Sequence, residues 1–124
     1  MKPTSLKEQT LPIKGSYYYS VDEADARGLL FSGQPLKLLA EPKNPYDVYA
    51  VQIWLAEVSA LMLGYIPRRQ APWIQFLTRN HLIFDAEIAT CYRQFNRWTL
   101  DCRLRYHTNW RVRFHYWLSR IFSR

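Results

Sequence analysis

Phe84-Asp85-Ala86-Glu87-Ile88-Ala89-Thr90-Cys91-Tyr92 and, after a short gap, Trp98-Thr99-Leu100-Asp101-Cys102-Arg103-Leu104-Arg105-Tyr106 are two stretches of alternating character. Phe84, Ala86, Ile88, Thr90 and Tyr92 make one face, with Asp85 and Glu87 opposite. Trp98, Leu100, Cys102, Leu104 and Tyr106 make another, with Asp101, Arg103 and Arg105 opposite. A period of two is the mark of half-buried strands, so the pair reads as a hairpin. Its two apolar faces coincide when opposed residue numbers sum to an even value. A three-residue loop, Phe95-Asn96-Arg97, achieves this by setting Gln94 against Trp98, with Asn96 or Arg97 in the left-handed position. Cys91 then faces Asp101 and Cys102 faces Thr90, so the sulfurs point to opposite faces and no intrachain disulfide is expected.

Working outward, further strands read at Lys14–Ser20 (around Tyr17-Tyr18-Tyr19), Leu36–Ala40, Tyr49–Ala56 and Leu61–Ile66. In the third of these Val51, Ile53 and Leu55 share a face, with Gln52 and Trp54 on the other. Asp22–Leu30 reads as a helical turn with its acids early, where the helix dipole favours them. Pro72 suits a first helical turn, and Trp73, Phe76, Leu77 and Asn80 follow on one face. Met1–Pro12 has no pattern and reads as loose. The tail from Asn109 to Arg124 puts Trp110, Phe114, Trp117, Leu118 and Ile121 on one helical stripe, with Arg111, Arg113, Arg120 and Arg124 largely off it; Thr108 or Asn109 would cap that helix. Six short strands with one internal helix imply a mainly β protein built as a small closed or half-closed barrel.

The 124 residues suffice for one domain, and 48% hydrophobic content is enough for a sizeable core. Two cysteines exclude a disulfide-dense secreted scaffold and a four-cysteine zinc site. The longest apolar stretch is broken by Gln52, Glu57 and Gly64, so no transmembrane segment is expected, and the first twenty residues lack a secretory apolar run. A cytoplasmic, reducing compartment is expected. The net charge of +7 is uneven. Met1–Pro67 carries six Lys/Arg against seven acids; Arg68–Arg124 carries eleven Arg, no Lys and three acids. Arginine grips phosphate with two hydrogen bonds and stacks on flat rings, so the asymmetry fits a polyanion; it also fits a solubilising surface. The three histidines are scattered, there is no glycine-rich phosphate loop and no nucleophile elbow. Neither catalysis nor a metal or cofactor site is expected.

Two stretches carry more. Glu41-Pro42-Lys43-Asn44-Pro45-Tyr46-Asp47, followed by Ala50-Val51, is a rigid loop presenting a phenol and a carboxylate beside a strand. Leu63-Gly64-Tyr65-Ile66-Pro67-Arg68 ends a strand at a glycine open to close approach and shows a guanidinium before a helix. Ring, carboxylate and guanidinium can together hold a nucleotide end: ring on base, Arg on phosphate, Asp on a sugar hydroxyl. Taken singly, Asp47 also fits an Asx turn and Arg68 a surface charge.

These stretches resemble the hallmark motifs of the HIRAN domain, an acidic-Pro-x-Asn-Pro-Tyr-Asp run and a Gly-Tyr-x-Pro-Arg run, and Gly15-Ser16-Tyr17-Tyr18-Tyr19 is similar to that family's aromatic first strand. The resemblance spans about Lys14 to Tyr106, with Tyr49 where the family usually has Asn. It implies a six-stranded OB-like barrel over 14–106, preceded by a flexible segment, 1–13, and followed by a basic, aromatic helix, 107–124, outside the family pattern. It further implies binding of single-stranded DNA or free 3′ ends in DNA repair or replication-fork processing, with a DNA-processing protein as a further partner. Tyr18 and Tyr19 would line the groove, Tyr46 would stack on a base, Asp47 would meet the terminal hydroxyl, and Tyr65 and Arg68 would contact the last nucleotides. The alternative is a protein-interaction or membrane-surface module acting through the amphipathic tail.

Overall fold

The computed structural model describes residues 5–16, 19–57 and 61–122. Two antiparallel three-stranded sheets form the framework. One orders β1 (Ser5–Pro12), β6 (Arg97–Thr108) and β5 (Ile83–Gln94); the other orders β2 (Leu36–Ala40), β3 (Val51–Leu55) and β4 (Met62–Tyr65). Three helices complete the described residues: α1 (Val21–Ala26), α2 (Ala71–Arg79) and α3 (Trp110–Phe122). The mainly β class, five of the six expected strands and the C-terminal helix are as expected. The sheets do not close into a barrel. They are stitched at two corners, by a Lys14–Tyr65 bridge and a Pro35–Glu87 bridge.

The core lies between the sheets and under α2. Val51, Ile53, Leu55 and Leu63 from one sheet meet Ile88, Leu100, Cys102 and Leu104 from the other, with Ile74 and Leu77 of α2. The alternation read in β3 is present: Val51, Ile53 and Leu55 are buried, while Gln52 and Trp54 are half-buried on the other side. α2 turns inward through Ala71, Ile74, Gln75 and Leu77. The face expected to carry Trp73, Phe76 and Asn80 is therefore rotated, and Trp73 and Phe76 stand half-buried at its edge.

Several expectations need correction. The segment read as loose is strand β1, paired along its length with β6 from Ser5–Thr108 to Pro12–Asp101. It is an exposed outer strand that buries only Leu11, so its polar residues are tolerated and no apolar period announces it. Conversely, the described residues of the span expected as a strand, Lys14–Ser20, form none: Lys14 makes a single bridge and Ser20 precedes α1, while Tyr17 and Tyr18 lie outside the described residues, as does Arg124. The 5–12 strand belongs to the sheet framework rather than to a flexible 1–13 leader. The β5–β6 hairpin turns on two residues, Phe95 and Asn96, both left-handed (φ 52° and 62°), so Gln94 pairs with Arg97 and not Trp98. This is the twist-matched two-residue turn favoured between antiparallel strands. An irregularity between Ile88 and Thr90 then resets the register, giving Ile88–Cys102 and Ala86–Leu104, and a second between Ile83 and Asp85 shifts it once more to Ile83–Tyr106. The core pairs are thereby recovered, at the cost of turning Phe84 and Tyr92 out to solvent. Cys91 sits opposite Leu100 and Cys102 opposite Ile88, both as free thiols.

Gly64 shows why β4 tolerates no side chain there. A Cβ would stand 2.4 Å from the Lys14 carbonyl oxygen and 2.8 Å from the Ile13 side chain. The close neighbour that the sequence leaves open as backbone or ligand is backbone, the strand-like bridge that joins the two sheets.

Candidate nucleic-acid interface

Between β2 and β3 the chain must turn with two prolines that donate no hydrogen bonds. Asn44 supplies what they lack. Its Oδ1 accepts from the backbone N–H groups of Tyr46 (2.8 Å) and Asp47 (3.1 Å), and its Nδ2 donates to Glu41 (2.6 Å). Asp47 repeats the device, its Oδ1 accepting from the Tyr49 N–H at 2.9 Å. Two side-chain-closed turns in series leave Tyr46 standing out, 86% exposed.

Glu41 anchors the loop from beneath. Besides Asn44, its carboxylate accepts from Tyr65 Oη (2.9 Å) and Gln52 Nε2 (2.8 Å), and Gln52 in turn accepts from Trp54 Nε1 (2.9 Å). Burial alone would raise the Glu41 carboxyl, but hydrogen bonds from Asn44, Tyr65 and Gln52 together hold it below its ordinary value. The Tyr65 phenol is pushed well up, first by burial and then by its bond to the Glu41 carboxylate. The far end of the loop is clamped by Gln75, a buried side chain of α2 that donates to the carbonyls of Val48 (2.9 Å) and Ala50 (3.3 Å).

Arg68 stands between β4 and α2. Its Nη2 donates to the Tyr46 carbonyl at 2.9 Å, and its Nε lies 4.0 Å from Asp47 Oδ2. The Arg68 side chain is 78% exposed and Asp47 only 20%. A carboxylate offers about four acceptor directions, so the Asx turn and the loose ion pair leave Asp47 able to accept from a hydroxyl. Tyr46, Asp47 and Arg68 thus line one open cleft of about 450 Å³, with Tyr49 and Pro72 as its other wall.

Of the residues expected at the site, the fold brings Tyr46, Asp47 and Arg68 together. Tyr65 is placed differently: its hydroxyl is engaged by Glu41, and its ring meets Tyr19 edge-on at 5.7 Å. Tyr19 and Tyr65 form a separate aromatic pair outside the cleft, joined to it through Glu41 and Asn44. Tyr18 lies outside the described residues. Glu41 and Gln75 acquire roles that sequence reasoning did not assign. A glutamine inside the apolar face of α2 was the available signal, since a buried amide must be satisfied by something.

The α3 helix is capped as expected but meets the body by a different face from the aromatic stripe read in the sequence. Asn109 caps it, its Oδ1 accepting from the Val112 N–H at 2.9 Å. It does not dock through Trp110, Phe114 and Trp117. It docks through Val112, packed against the core, and through Tyr116, whose ring meets Trp73 at 5.0 Å and Phe76 at 5.4 Å, with Arg113 over the Trp73 ring. Trp110, Phe114, Trp117 and Ile121 face solvent.

A family model described as the HIRAN domain matches residues 6–115. The match includes β1 and the first half of α3, beyond the Lys14–Tyr106 span read from the motifs. Among solved structures, the chain is similar to the HIRAN domain of human HLTF, at 16% identity over 92% of this chain and 87% of that one, with a TM-score of 0.66. It is also similar to a protein from Lactobacillus plantarum, at 22% identity over 84% and 99% of the two chains, with a TM-score of 0.62. No curated protein matches at a significant level.

Proposed function

The chain belongs to the HIRAN domain family of DNA-binding modules, and from that premise we propose that it binds single-stranded DNA at a free 3′ end through Tyr46, Asp47 and Arg68. The observation that carries this reading is the cleft itself, in which an outward phenol, an accepting carboxylate and an exposed guanidinium stand on one clamped loop and the residue beside it. Tyr46 stacks on a base, Arg68 meets a phosphate, and Asp47 accepts from the terminal hydroxyl. Tyr19 and Tyr65 flank the approach, with Tyr65 acting chiefly by holding Glu41 and hence the loop. Tyr18 is assigned to the groove on the family resemblance alone. The module acts by binding, in DNA repair or fork processing in the cytoplasm and beside a DNA-processing partner.

The decisive test is the chemistry of the strand end. A 3′-phosphate sets like charge against Asp47, so a 3′-phosphorylated oligonucleotide should bind more weakly than the same strand with a 3′-hydroxyl. Equal affinity in a titration removes end recognition and leaves general strand binding.

One observation favours a second reading. α3 holds Trp110, Phe114, Trp117 and Ile121 in the open, beside Arg111, Arg113 and Arg120, and has no acidic residue. An apolar row edged by cations fits an anionic membrane surface or a protein partner. No helix among the described residues is long and apolar enough to cross a membrane. Co-sedimentation with anionic but not zwitterionic vesicles would support the surface reading.

A further inference from the structure

The cleft at Tyr46 does not end at Tyr49 and Pro72. The same two residues form one end of a second cleft, about 360 Å³, that runs between α2 and α3 to Arg79, Asn80 and Arg120. Tyr49 is the shared floor, and the Arg120 guanidinium lies 5.0 Å from its ring centroid. Arg120 Nη1 also donates to the Tyr116 hydroxyl at 3.2 Å. Tyr116 itself is wedged on Trp73 and Phe76. The guanidinium is thus positioned by two aromatic side chains before any ligand arrives, which reduces the entropy lost on binding.

The charge of this second cleft is uncompensated. The ion pairs among the described residues use Arg68, Arg103 and Arg105; Arg79 and Arg120 have none, and no acid lines the cleft. Tyr116 and Arg120 also lie beyond the span matched by the family model, so this cleft is built partly from a segment that the family pattern does not describe. Two arginines without carboxylate partners beside aromatic rings are suited to backbone phosphates of a single strand, whose bases can lie against the rings.

We propose that the α2–α3 cleft is a second nucleotide subsite, in which Arg79 and Arg120 take the phosphates of nucleotides on the 5′ side of the one held at Tyr46. It rests on the single-strand reading above, because a continuous strand is what passes from one cleft to the other over Tyr49.

The experiment compares the full chain with an Arg79→Gln/Arg120→Gln double variant. Both positions are exposed, and circular dichroism verifies the fold. Each protein is titrated with a dinucleotide, whose single phosphate is the one assigned to Arg68, and with a decanucleotide sharing the same free 3′ end, between about 50 and about 200 mM salt. The wild type should bind the decanucleotide more tightly. The double variant should keep its affinity for the dinucleotide, lose the gain from length, and show a salt slope for the decanucleotide smaller by about 1.4, two contacts at roughly 0.7 each. An unchanged gain and slope, or an equal loss on both lengths, overturns the subsite and leaves the Tyr46 site standing. A wild type that binds neither strand overturns the single-strand reading and the subsite together.

Discussion

Tyr46 and Arg68 meet the proposed strand by different physics, and substitution should separate them. Tyr46→Ala removes one base stack and should cost ~1–3 kcal/mol of binding with little change in salt dependence. Arg68→Ala should weaken binding and reduce the salt slope by roughly 0.7. Because Arg68 also donates to the Tyr46 carbonyl, the double variant should lose less than the two single losses together. Two folded variants with unchanged affinity would make the motif structural. Glu41 gives a test by pH. Its folded carboxyl lies below the ordinary value, so it contributes stability that is present above the unfolded pKa, about 4.3, and is lost as pH falls through the lower folded one. Glu41→Gln should therefore be less stable than wild type at neutral pH and show a flatter acid limb, as read by urea midpoints across that window. At this scale the sequence was legible in part. Asp47 could be read as a turn residue or a ligand, and the two are compatible, since one oxygen closes the Asx turn while the other faces Arg68. What Tyr65 does was hidden, because its partner Glu41 is twenty-four positions away and a hydroxyl bond leaves no trace in spacing.

Elements were legible where burial wrote a period into them. β3 and the inner residues of β5 and β6 face opposing apolar layers, so their alternation reports the fold directly. β1 is held mainly by its ladder to β6 and buries one side chain, so nothing in its composition distinguishes it from a loose tail. The hairpin shows a different limit. Its even-sum core register was correct in parity, but the chain reaches it through an odd two-residue turn and an irregularity near Ala89, which alternation alone cannot separate from a three-residue loop. Gly64 is the element-scale test. Gly64→Ala drives a Cβ into the Lys14 carbonyl, and a backbone atom cannot swing away as a side-chain end can. The bridge joining the sheets must open or β4 must shift, which should cost about 1–3 kcal/mol, the usual range for overpacking. Thermal or urea unfolding reads it; an unchanged midpoint would show that the Lys14–Tyr65 bridge is dispensable.

Across the whole molecule, the basic excess of the second half is only partly free. Arg103 pairs with Glu87, and Arg105 with Glu8, Asp85 and Glu87, as cross-strand ladders on the outer face of the β1–β6–β5 sheet. That neutralised face is a poor polyanion surface, so the available charge shifts toward α2 and α3. α3 carries none of the fully buried side chains and reaches the body through Val112 and Tyr116, whereas Thr108 just before it is buried and paired with Ser5. A truncation should therefore keep Thr108 and Asn109 and remove 110–124, which lowers the net charge from +7 to +3. The two sheets should stay folded by circular dichroism, with a modest loss of thermal stability because Trp73 and Phe76 lose their cover. DNA affinity should fall for long strands at low salt, with a shallower salt slope, while the preference for a 3′-hydroxyl over a 3′-phosphate persists, since Tyr46, Asp47 and Arg68 are untouched. A folded truncation that binds long strands as before, yet no longer associates with anionic vesicles, assigns α3 to the surface-binding reading instead, with its solvent-facing Trp110, Phe114 and Trp117 as the contact.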